Sequence, residues 1–410
     1  MAANTSPQLA ALAGLGLAPH WRVVHFGTLT RLAAGQVDPR SDGYSAMTHV
    51  GPENIESGTG FVHAVRSAGE LDMISGKYEF DEQAIVYSKI RPNLNKVCVP
   101  GFRGLCSADC YPIWIASKTD VDRDFLLYYM LSELFVRQAI AVSRRTGMPK
   151  VNRPDLAKIR VVLPPKAEQE RIACVLQECD STSHLINRLL PLMRKRFRCL
   201  SHQLLSGRRR LHAYKDVDWA HAQLGDLFGD CKERGRAGLP TLSVTIDRGL
   251  VRRESLDRRM SDGLTPEEHL LVRPGDIVYN TMRMWQGASG LCSEEGIVSP
   301  AYVVQRPRAS IDPRFAAHWF KAPRMVYLFW AYSYGLTGDR LRLYSKDFAV
   351  IPVNYPPSID EQQAIADILD TAQREIELLE QLRKQIQLQK RGLMQKLLTG
   401  EIRVPTEANA

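Results

Sequence analysis

The sequence predicts an α+β protein in which two tandem domains of mixed α/β structure are separated by two long helices that form an antiparallel coiled coil. Three observations lead to this prediction. An internal repeat spans the chain, each repeat contains short strand-like segments, and each ends in a helical pattern of about 40 residues.

The repeat is clearest where each long helix is expected to begin. Residues 168–177 read EQERIACVLQ, and residues 361–370 read EQQAIADILD. The helix end LLSG at 204–207 returns as LLTG at 397–400, and IVYSKIR at 85–91 returns as IVYNTMR at 277–283. Other pairs in the same order are GLCS (104–107) with GIVS (296–299), and Trp21 and Gly27 with Trp219 and Gly225. We interpret the chain as a tandem duplication with a repeat of about 193 residues.

Each repeat begins with a domain of mixed structure. Short β-rich runs such as AIVYSKI, KIRVVLP, GDIVYNT and FAVIPV, separated by Gly and Pro, predict strands. The segment DFLLYYMLSELFVRQAI and its counterpart PRFAAHWFKAPRMVYLFWAYS predict helices. We therefore expect domains over residues 1–164 and 212–356, long helices over 165–207 and 357–400, and a tail over 401–410.

The long helices carry start and stop signals and an apolar seam. Ser358 and Glu361 have the spacing of a capping box, and Gly400 has the position that closes a helix. Arg383 and Lys390 interrupt the seam of the second helix. The seam predicts a coiled coil and partner interface made by Ile172, Leu176, Ile186, Leu190, Leu204, Ile365, Leu369, Ile376, Leu379, Ile386 and Leu397.

The pairing of the two helices has alternatives. One apolar stripe on each long helix favours their burial against each other, and an antiparallel arrangement fits the order of the repeats. The alternatives are that each helix packs on its own domain or that it pairs with a second chain. Pro191 conflicts with the first helix because it removes a hydrogen bond, and it predicts a kink near Asn187.

Net charge, cysteine content and the first residues each bear on the kind of partner and the location of the protein. The 410 residues carry a formal net charge of +9 and a pI of about 9.1, which suits a polyanion such as DNA or RNA and equally a mildly basic enzyme. The eight cysteines include no CxxC pair, so we expect reduced thiols, no metal site and a cytoplasmic protein. The first residues lack a cationic signal region, and we expect a flexible leader and no membrane contact.

No motif for catalysis is recognisable. GxxxxGK is absent, and NYPP at 354–357 aligns with VLPP at 162–165 as a turn between a strand and a helix. The histidines are dispersed, without a defensible nucleophile–base pair. The missing motifs therefore weigh against a stand-alone nucleic-acid enzyme. The basic charge balance and the two β-containing domains weigh against a purely structural coiled-coil adaptor.

The doubled pattern resembles the specificity subunits of type I restriction–modification systems. The motifs that carry the resemblance are PP…EQ…I…IL followed by a helix ending in LL(S/T)G, and the IVY…R…G…S block, each present twice. The resemblance implies two target recognition domains, each reading one half of a split, asymmetric site in double-stranded DNA. It implies helices that recruit two modification (methyltransferase) subunits, with restriction (helicase-nuclease) subunits joining them.

The resemblance also implies a noncatalytic subunit with no cofactor of its own. S-adenosylmethionine, ATP and Mg are then expected on the partner subunits. The alternative is a specificity subunit of a related modification or phage-defence complex that lacks type I cleavage.

Candidate DNA-binding residues lie after the IVY segment of each repeat and before the last predicted strand of each domain. Arg or Lys suits guanine and phosphate, and Asn or Gln suits adenine. Because Arg91 and Arg283 align in domains expected to read different sequences, we expect them to contact phosphate or to form a structural ion pair. Their divergent neighbours are then the candidates for reading bases. An ordinary solvated loop is the alternative. The candidates are Lys89, Arg91, Asn93, Asn95, Lys96, Arg103, Arg144, Arg145, Lys150, Asn280, Thr281, Arg283, Trp285, Gln286, Arg340 and Arg342.

Overall fold

The computed structural model describes residues 20–116, 121–143, 148–256 and 263–404. The chain forms two compact units. The first holds residues 1–186 and 382–410, and the second holds residues 187–381. Each unit contains one domain and parts of both long helices.

The first unit contains two four-stranded sheets and one strand pair among its described residues. The sheet orders are β2-β9-β6-β7 and β4-β3-β8-β5, and β1 pairs with β10. All pairings are antiparallel except that of β3 with β8. The strands are β1 (Arg22–His25), β2 (Thr30–Leu32), β3 (Thr48–Val50), β4 (Arg66–Ser67), β5 (Tyr78–Phe80), β6 (Ile85–Ser88), β7 (Val97–Cys98), β8 (Gly104–Cys106), β9 (Cys110–Ile115) and β10 (Arg160–Leu163).

Helices of the first unit pack on the sheet that contains the IVY segment. The whole of β6 is buried in that sheet, and its tyrosine ring meets Phe135 edge-on. The helices are α1 (Phe26–Leu29), α2 (Arg123–Leu131), α3 (Glu133–Val142), α4 (Arg153–Ala157) and the first part of α5 (Lys166–Leu205), with a 3-10 turn at Pro92–Leu94.

The second unit repeats this plan with shorter sheets. The four-stranded sheet has the order β12-β19-β16-β17, and three antiparallel pairs join β11 to β20, β13 to β14 and β15 to β18. The strands are β11 (Ala220–Gln223), β12 (Phe228–Cys231), β13 (Leu242–Thr245), β14 (Gly249–Arg252), β15 (Leu270–Val272), β16 (Ile277–Asn280), β17 (Ser289–Leu291), β18 (Gly296–Val298), β19 (Tyr302–Pro307) and β20 (Pro352–Tyr355).

Its helices follow the same order as those of the first unit. The IVY strand β16 again lies inside its sheet, between β17 and β19. The helices are α6 (Leu224–Leu227), α7 (Pro313–Trp319), α8 (Pro323–Ala331), α9 (Ser345–Ala349) and α10 (Ile359–Thr399), with 3-10 turns at His212–Tyr214, Arg253–Ser255, Pro266–Glu268 and Met284–Gln286.

The glycine shared by the two repeats lies at a close helix contact in each unit. A Cβ added to Gly27 would lie 2.7 Å from the Cβ of Ala157, and one added to Gly225 would lie 3.0 Å from that of Ala349. Neither contact leaves room for a larger side chain. The repeated glycine therefore reports a packing requirement, α1 against α4 and α6 against α9.

The glutamine after the repeated glutamate joins each long helix to its domain. Gln169 is fully buried, and its side chain accepts a hydrogen bond from the Asp122 N–H at 2.8 Å. Gln362 is also fully buried, and it accepts from the Asp312 N–H at 2.7 Å. Because Asp122 and Asp312 are the N-cap residues of α2 and α7, this contact fixes a domain helix to a long helix in both repeats.

The long helices run antiparallel in both units, as the sequence predicts. In the first unit Asp180 of α5 pairs with Lys390 of α10. In the second unit Arg194 and Arg196 of α5 pair with Glu380 and Glu375 of α10, so the residue numbers rise on one helix as they fall on the other. The interruption of the seam at Lys390 is thereby explained, because its amine is bound by Asp180 and lies 5.0 Å from the Tyr128 ring centroid.

Most of the predicted seam is buried. Leu379 and Ile386 are half-buried. Ile172 and Leu176 join the core of the first domain together with Leu397, so the start of α5 packs on its own domain as well as on the other helix. The buried residues are Ile172, Leu176, Ile186, Leu190, Leu204, Ile365, Leu369, Ile376 and Leu397.

The helix ends have the predicted caps, with one difference. The Glu361 N–H donates to Ser358 Oγ at 3.4 Å. The Glu361 carboxylate, however, binds Arg210 at 2.9 Å, so the reciprocal half of the expected capping box is replaced by an ion pair. Gly400 has a φ of 78° and ends α10, and Gly207 with a φ of 71° ends the matching helix. Helix α5 runs through Pro191 without a break.

Candidate nucleic-acid interface

The two stretches that the sequence singles out come together in each domain. In the first domain the Val151 N–H donates to the Lys89 carbonyl at 2.9 Å, and in the second the Leu343 N–H donates to the Thr281 carbonyl at 3.0 Å. These four residues occupy matching positions of the repeat. Each domain therefore builds one surface from the loop after its IVY strand and the segment before its last short helix.

In the first domain three candidates are exposed on this surface. Arg91 begins the 3-10 turn with a φ of 48°, in the left-handed region that non-glycine residues adopt at a cost of about 1–2 kcal/mol. Its N–H donates to the Pro149 carbonyl at 2.9 Å, which holds the two segments together. Asn93 and Lys150 are exposed beside it.

Four other candidates of the first domain are engaged within the protein. The buried Lys89 amine donates to the Ala108 carbonyl, and its pKa is lowered by burial and by the nearby Lys150. Asn95 donates from its amide to the Leu131 carbonyl at 2.8 Å, and Lys96 donates to the Pro52 carbonyl. Arg103 is exposed but pairs with Glu79. These contacts indicate a structural role for the four side chains. Arg144 and Arg145 lie outside the described residues.

In the second domain the loop after β16 is held by its own polar side chains. Asn280 accepts from the Met282 N–H at 3.0 Å, and Thr281 donates to the Ala301 carbonyl at 3.0 Å. Trp285 donates from its indole to the Met282 carbonyl at 2.9 Å. Arg283 and Gln286 point outward and are exposed. The loop thus presents a cation and an amide on a scaffold made by the three others.

A cleft of about 1100 Å³ opens beside this loop in the second domain. Its lining combines cations and aromatic rings, the two groups that bind phosphates and stack on bases. One carboxylate, Asp230, also lines it and pairs with Lys232 at 3.4 Å. The cations are Lys232, Arg234, Arg342 and Lys346, and the aromatic residues are Tyr302, Tyr334 and Tyr344.

Only part of this cleft is predicted from the sequence. Thr281 and Arg342 are among the predicted residues, and Arg340 is exposed on the same hairpin as Arg342. Lys232, Arg234 and Lys346 are missed. Lys232 and Arg234 stand together in KERGR at 232–236 and Lys346 follows Arg342 closely, but nothing in the sequence shows that these two segments meet in the fold. Tyr344 lies in GLTGDRLRLYS (335–345), the same stretch as the predicted Arg340 and Arg342, but an aromatic residue there gives no separate signal.

The described residues contain no group of three or more His, Cys, Asp or Glu side chains placed to hold a metal ion. The buried thiols of Cys98, Cys106 and Cys110 have raised pKa values because burial disfavours the thiolate. Within the part of the chain that the structure describes, no single helix is both long and apolar enough to cross a membrane; α2 and α3 meet that test only as a pair bent by 66°.

Comparison with known proteins identifies the family. The model of the type I restriction modification DNA specificity domain matches residues 73–191 and 275–388, more than half of the chain and one segment in each repeat. The chain therefore belongs to this family of DNA specificity proteins. The predicted resemblance and fold class are confirmed.

Two specificity subunits illustrate the relationship. The type I restriction enzyme EcoDI specificity subunit of Escherichia coli is 37% identical over 153 residues, which cover 37% of this chain and 33% of that subunit. The chain thus spans about a third of the length of that relative. The MjaVIII specificity subunit of Methanocaldococcus jannaschii is 23% identical over 424 residues, covering 95% of each.

Solved structures share the fold. An HsdS subunit from Thermoanaerobacter tengcongensis matches with a TM-score of 0.52 and 19% identity, over 95% of this chain and 99% of that one. The S subunit of a type I restriction-modification system from M. genitalium matches with a TM-score of 0.59 and 15% identity, over 94% of this chain and 97% of that one.

Proposed function

We propose that this chain is the sequence-specific DNA-recognition subunit of a type I restriction–modification complex, with one domain for each half of a split, asymmetric site. The family match in both repeats carries the proposal. Because the scaffold is duplicated, each domain presents a matching surface, which supports the recognition of one half-site by each domain. The different loops on that scaffold support two different half-sites, since identical modules would require a palindrome.

The exposed residues of the two loops support a division between backbone contacts and base contacts. Arg91 and Arg283 occupy matching positions and are both exposed. A cation kept in both domains suits the phosphate backbone, which has the same charge in any sequence. Asn93 in one loop and Gln286 in the other are exposed and different, and amide side chains suit adenine. We assign phosphate contact to the arginines and base contact to the amides.

The long helices provide a surface for partner subunits in this proposal. Each unit exposes leucines on both helices that no seam contact buries. Exposed apolar side chains in this number favour a protein interface over free solvent. We assign them to modification subunits, two in number to match the two repeats, with the restriction subunits joining that complex. They are Leu185, Leu382 and Leu388 in the first unit, and Leu189, Leu192 and Leu378 in the second.

Methylome sequencing of cells that express this chain with its modification subunit tests the proposal directly. We expect one bipartite motif with two unlike halves. Replacing residues 212–356 with the second domain of another family member should change only one half. A change in both halves, or no sequence-specific methylation, would contradict the proposal. ATP-dependent cleavage of unmodified DNA after a restriction subunit is added separates this function from a complex that only modifies DNA.

A further inference from the structure

A short hairpin projects beside the cleft of the second domain. Tyr334 and Arg342 form an antiparallel bridge, with N–H···O distances of 3.2 and 2.9 Å in the two directions. Residues 335–340 between them are all exposed. A Cβ on Gly335 would lie 2.2 Å from the Arg340 carbonyl oxygen, so the tip is tightly closed. The Arg340 N–H donates to the Thr337 carbonyl at 3.0 Å, which gives the tip a defined turn.

Leu336 at this tip is the most exposed large apolar side chain among the described residues. Its relative exposure is 101%, and the next most exposed, Ile74, reaches 74%. A leucine in full contact with water forgoes the stabilisation that burial of its side chain would contribute. A tightly turned hairpin thus presents an apolar group at its outermost point.

The surroundings of Leu336 fit duplex DNA. Arg340 is exposed on the tip, and Arg342 and Lys346 line the cleft at its base. The rings of Tyr334 and Tyr344 lie 5.6 Å apart beside them. The exposed Asp339 is the one carboxylate of the tip, and a carboxylate in a groove can accept from the cytosine amino group. A two-stranded ribbon has the width that the major groove admits.

We propose that the hairpin over residues 334–342 enters the major groove of the half-site read by the second domain, and that Leu336 packs against the C5 edge of a pyrimidine there. This inference rests on the proposed function. The C5 edge is the apolar part of a base pair in the major groove, where thymine carries a methyl group and cytosine a hydrogen. Leu336 therefore distinguishes the two by contact, while Arg342 and Lys346 hold the flanking phosphates.

The test uses the full chain with its modification subunit and fluorescent duplexes that carry the motif found by methylome sequencing. Leu336→Ala should weaken binding to the cognate duplex about tenfold. Its affinity for a scrambled duplex and the salt dependence of binding should stay unchanged. Leu336→Met should retain most of the affinity. Ile74→Ala removes a comparably exposed apolar side chain from the first unit and should change nothing.

Modified duplexes locate the contact. Deoxyuridine is placed at each thymine, and 5-methyldeoxycytidine at each cytosine, one position at a time. One substitution in the second half-site should change the affinity of the wild-type protein and leave that of Leu336→Ala unchanged. Equal loss of cognate and scrambled binding by Leu336→Ala, or wild-type behaviour of that variant, would overturn the hairpin assignment alone. A wild-type protein that does not distinguish the motif from scrambled DNA would overturn the proposed function and this inference together.

Discussion

The starts of the two long helices carry the same ion pair in different surroundings. Glu168 binds Arg403 in the first unit, and Glu361 binds Arg210 in the second. Each arginine lies three residues beyond the glycine that ends the other helix. In the first unit the Trp21 indole also donates to Glu168, at 3.0 Å. In the second unit Arg210 takes both oxygens of Glu361 at 2.9 Å, and the buried Trp219 Nε1 has no partner.

Both repeats keep the ion pair between the glutamate and the arginine, whereas only the first repeat has the hydrogen bond from the indole. Both glutamates are buried, at 1% and 0% exposure, and a buried carboxylate requires a cation. A guanidinium suits this position because its fork can bind both oxygens. The indole bond is absent from the second repeat, so it is an addition to the ion pair and not a condition for it. The difference also shows why the repeated EQ motif recurs: each glutamate ties one helix start to the end of its neighbour.

The largest expected effect comes from removing the buried carboxylate of the second unit. Glu361→Ala leaves Arg210, whose side chain is 16% exposed, without its counter-ion, and should cost about 3–5 kcal/mol of unfolding free energy. Urea denaturation followed by circular dichroism measures this. Glu375→Ala is the matched control on the same helix, because its pair with Arg196 is solvent-exposed at 3.7 Å and should contribute less than about 1 kcal/mol. Equal costs for the two variants would contradict the structural role of Glu361.

A second prediction compares the exposed arginines of the reading loops with a paired one. Arg91→Ala and Arg283→Ala should each weaken DNA binding and lower the salt slope by about one phosphate contact, with little change in sequence preference. Arg103→Ala should do much less, because its guanidinium already pairs with Glu79. Binding titrations at several salt concentrations give both quantities. If either loop arginine instead relaxed one base position, it would be a base reader.

The smallest effect tests the difference between the two tryptophans. Trp21→Phe loses the bond to Glu168 and should cost about 1 kcal/mol beyond the shared loss of ring area. Trp219→Phe removes a buried donor that lacks a partner, so its cost should be smaller. Thermal or urea unfolding of the two variants provides the measurement. A larger cost for Trp219→Phe would show that its N–H has a partner in solution.

The sequence predicts that the two loops of each domain form one surface. It predicts less well which side chains on that surface lack a partner within the protein. Both marked stretches meet in each domain, because the IVY strand and the last strand are fixed by the repeated scaffold. The sequence does not show which of the cations are engaged within the protein and which are exposed. Lys89 looks like Arg91 in the sequence, yet its amine is buried against the Ala108 carbonyl while Arg91 is exposed. Residues two positions apart share a face of an extended strand, but the left-handed backbone of Arg91 ends that alternation and starts the 3-10 turn. Composition does not show where this change of backbone occurs.

The sequence by itself determined the duplication, the limits of the long helices and their caps. The duplication follows from comparing one half of the chain with the other. The helix limits follow from interactions within a few residues along the chain: hydrogen bonds between residues i and i+4, the serine at the start of the second long helix, and a glycine in the left-handed region at the end of each. Tertiary structure alone decided which charges are engaged and which are free. The partners of Glu168 and Glu361 lie 235 and 151 residues away, and the cleft gathers cations from two separate segments. Burial makes such contacts strong, and burial is a property of the folded chain.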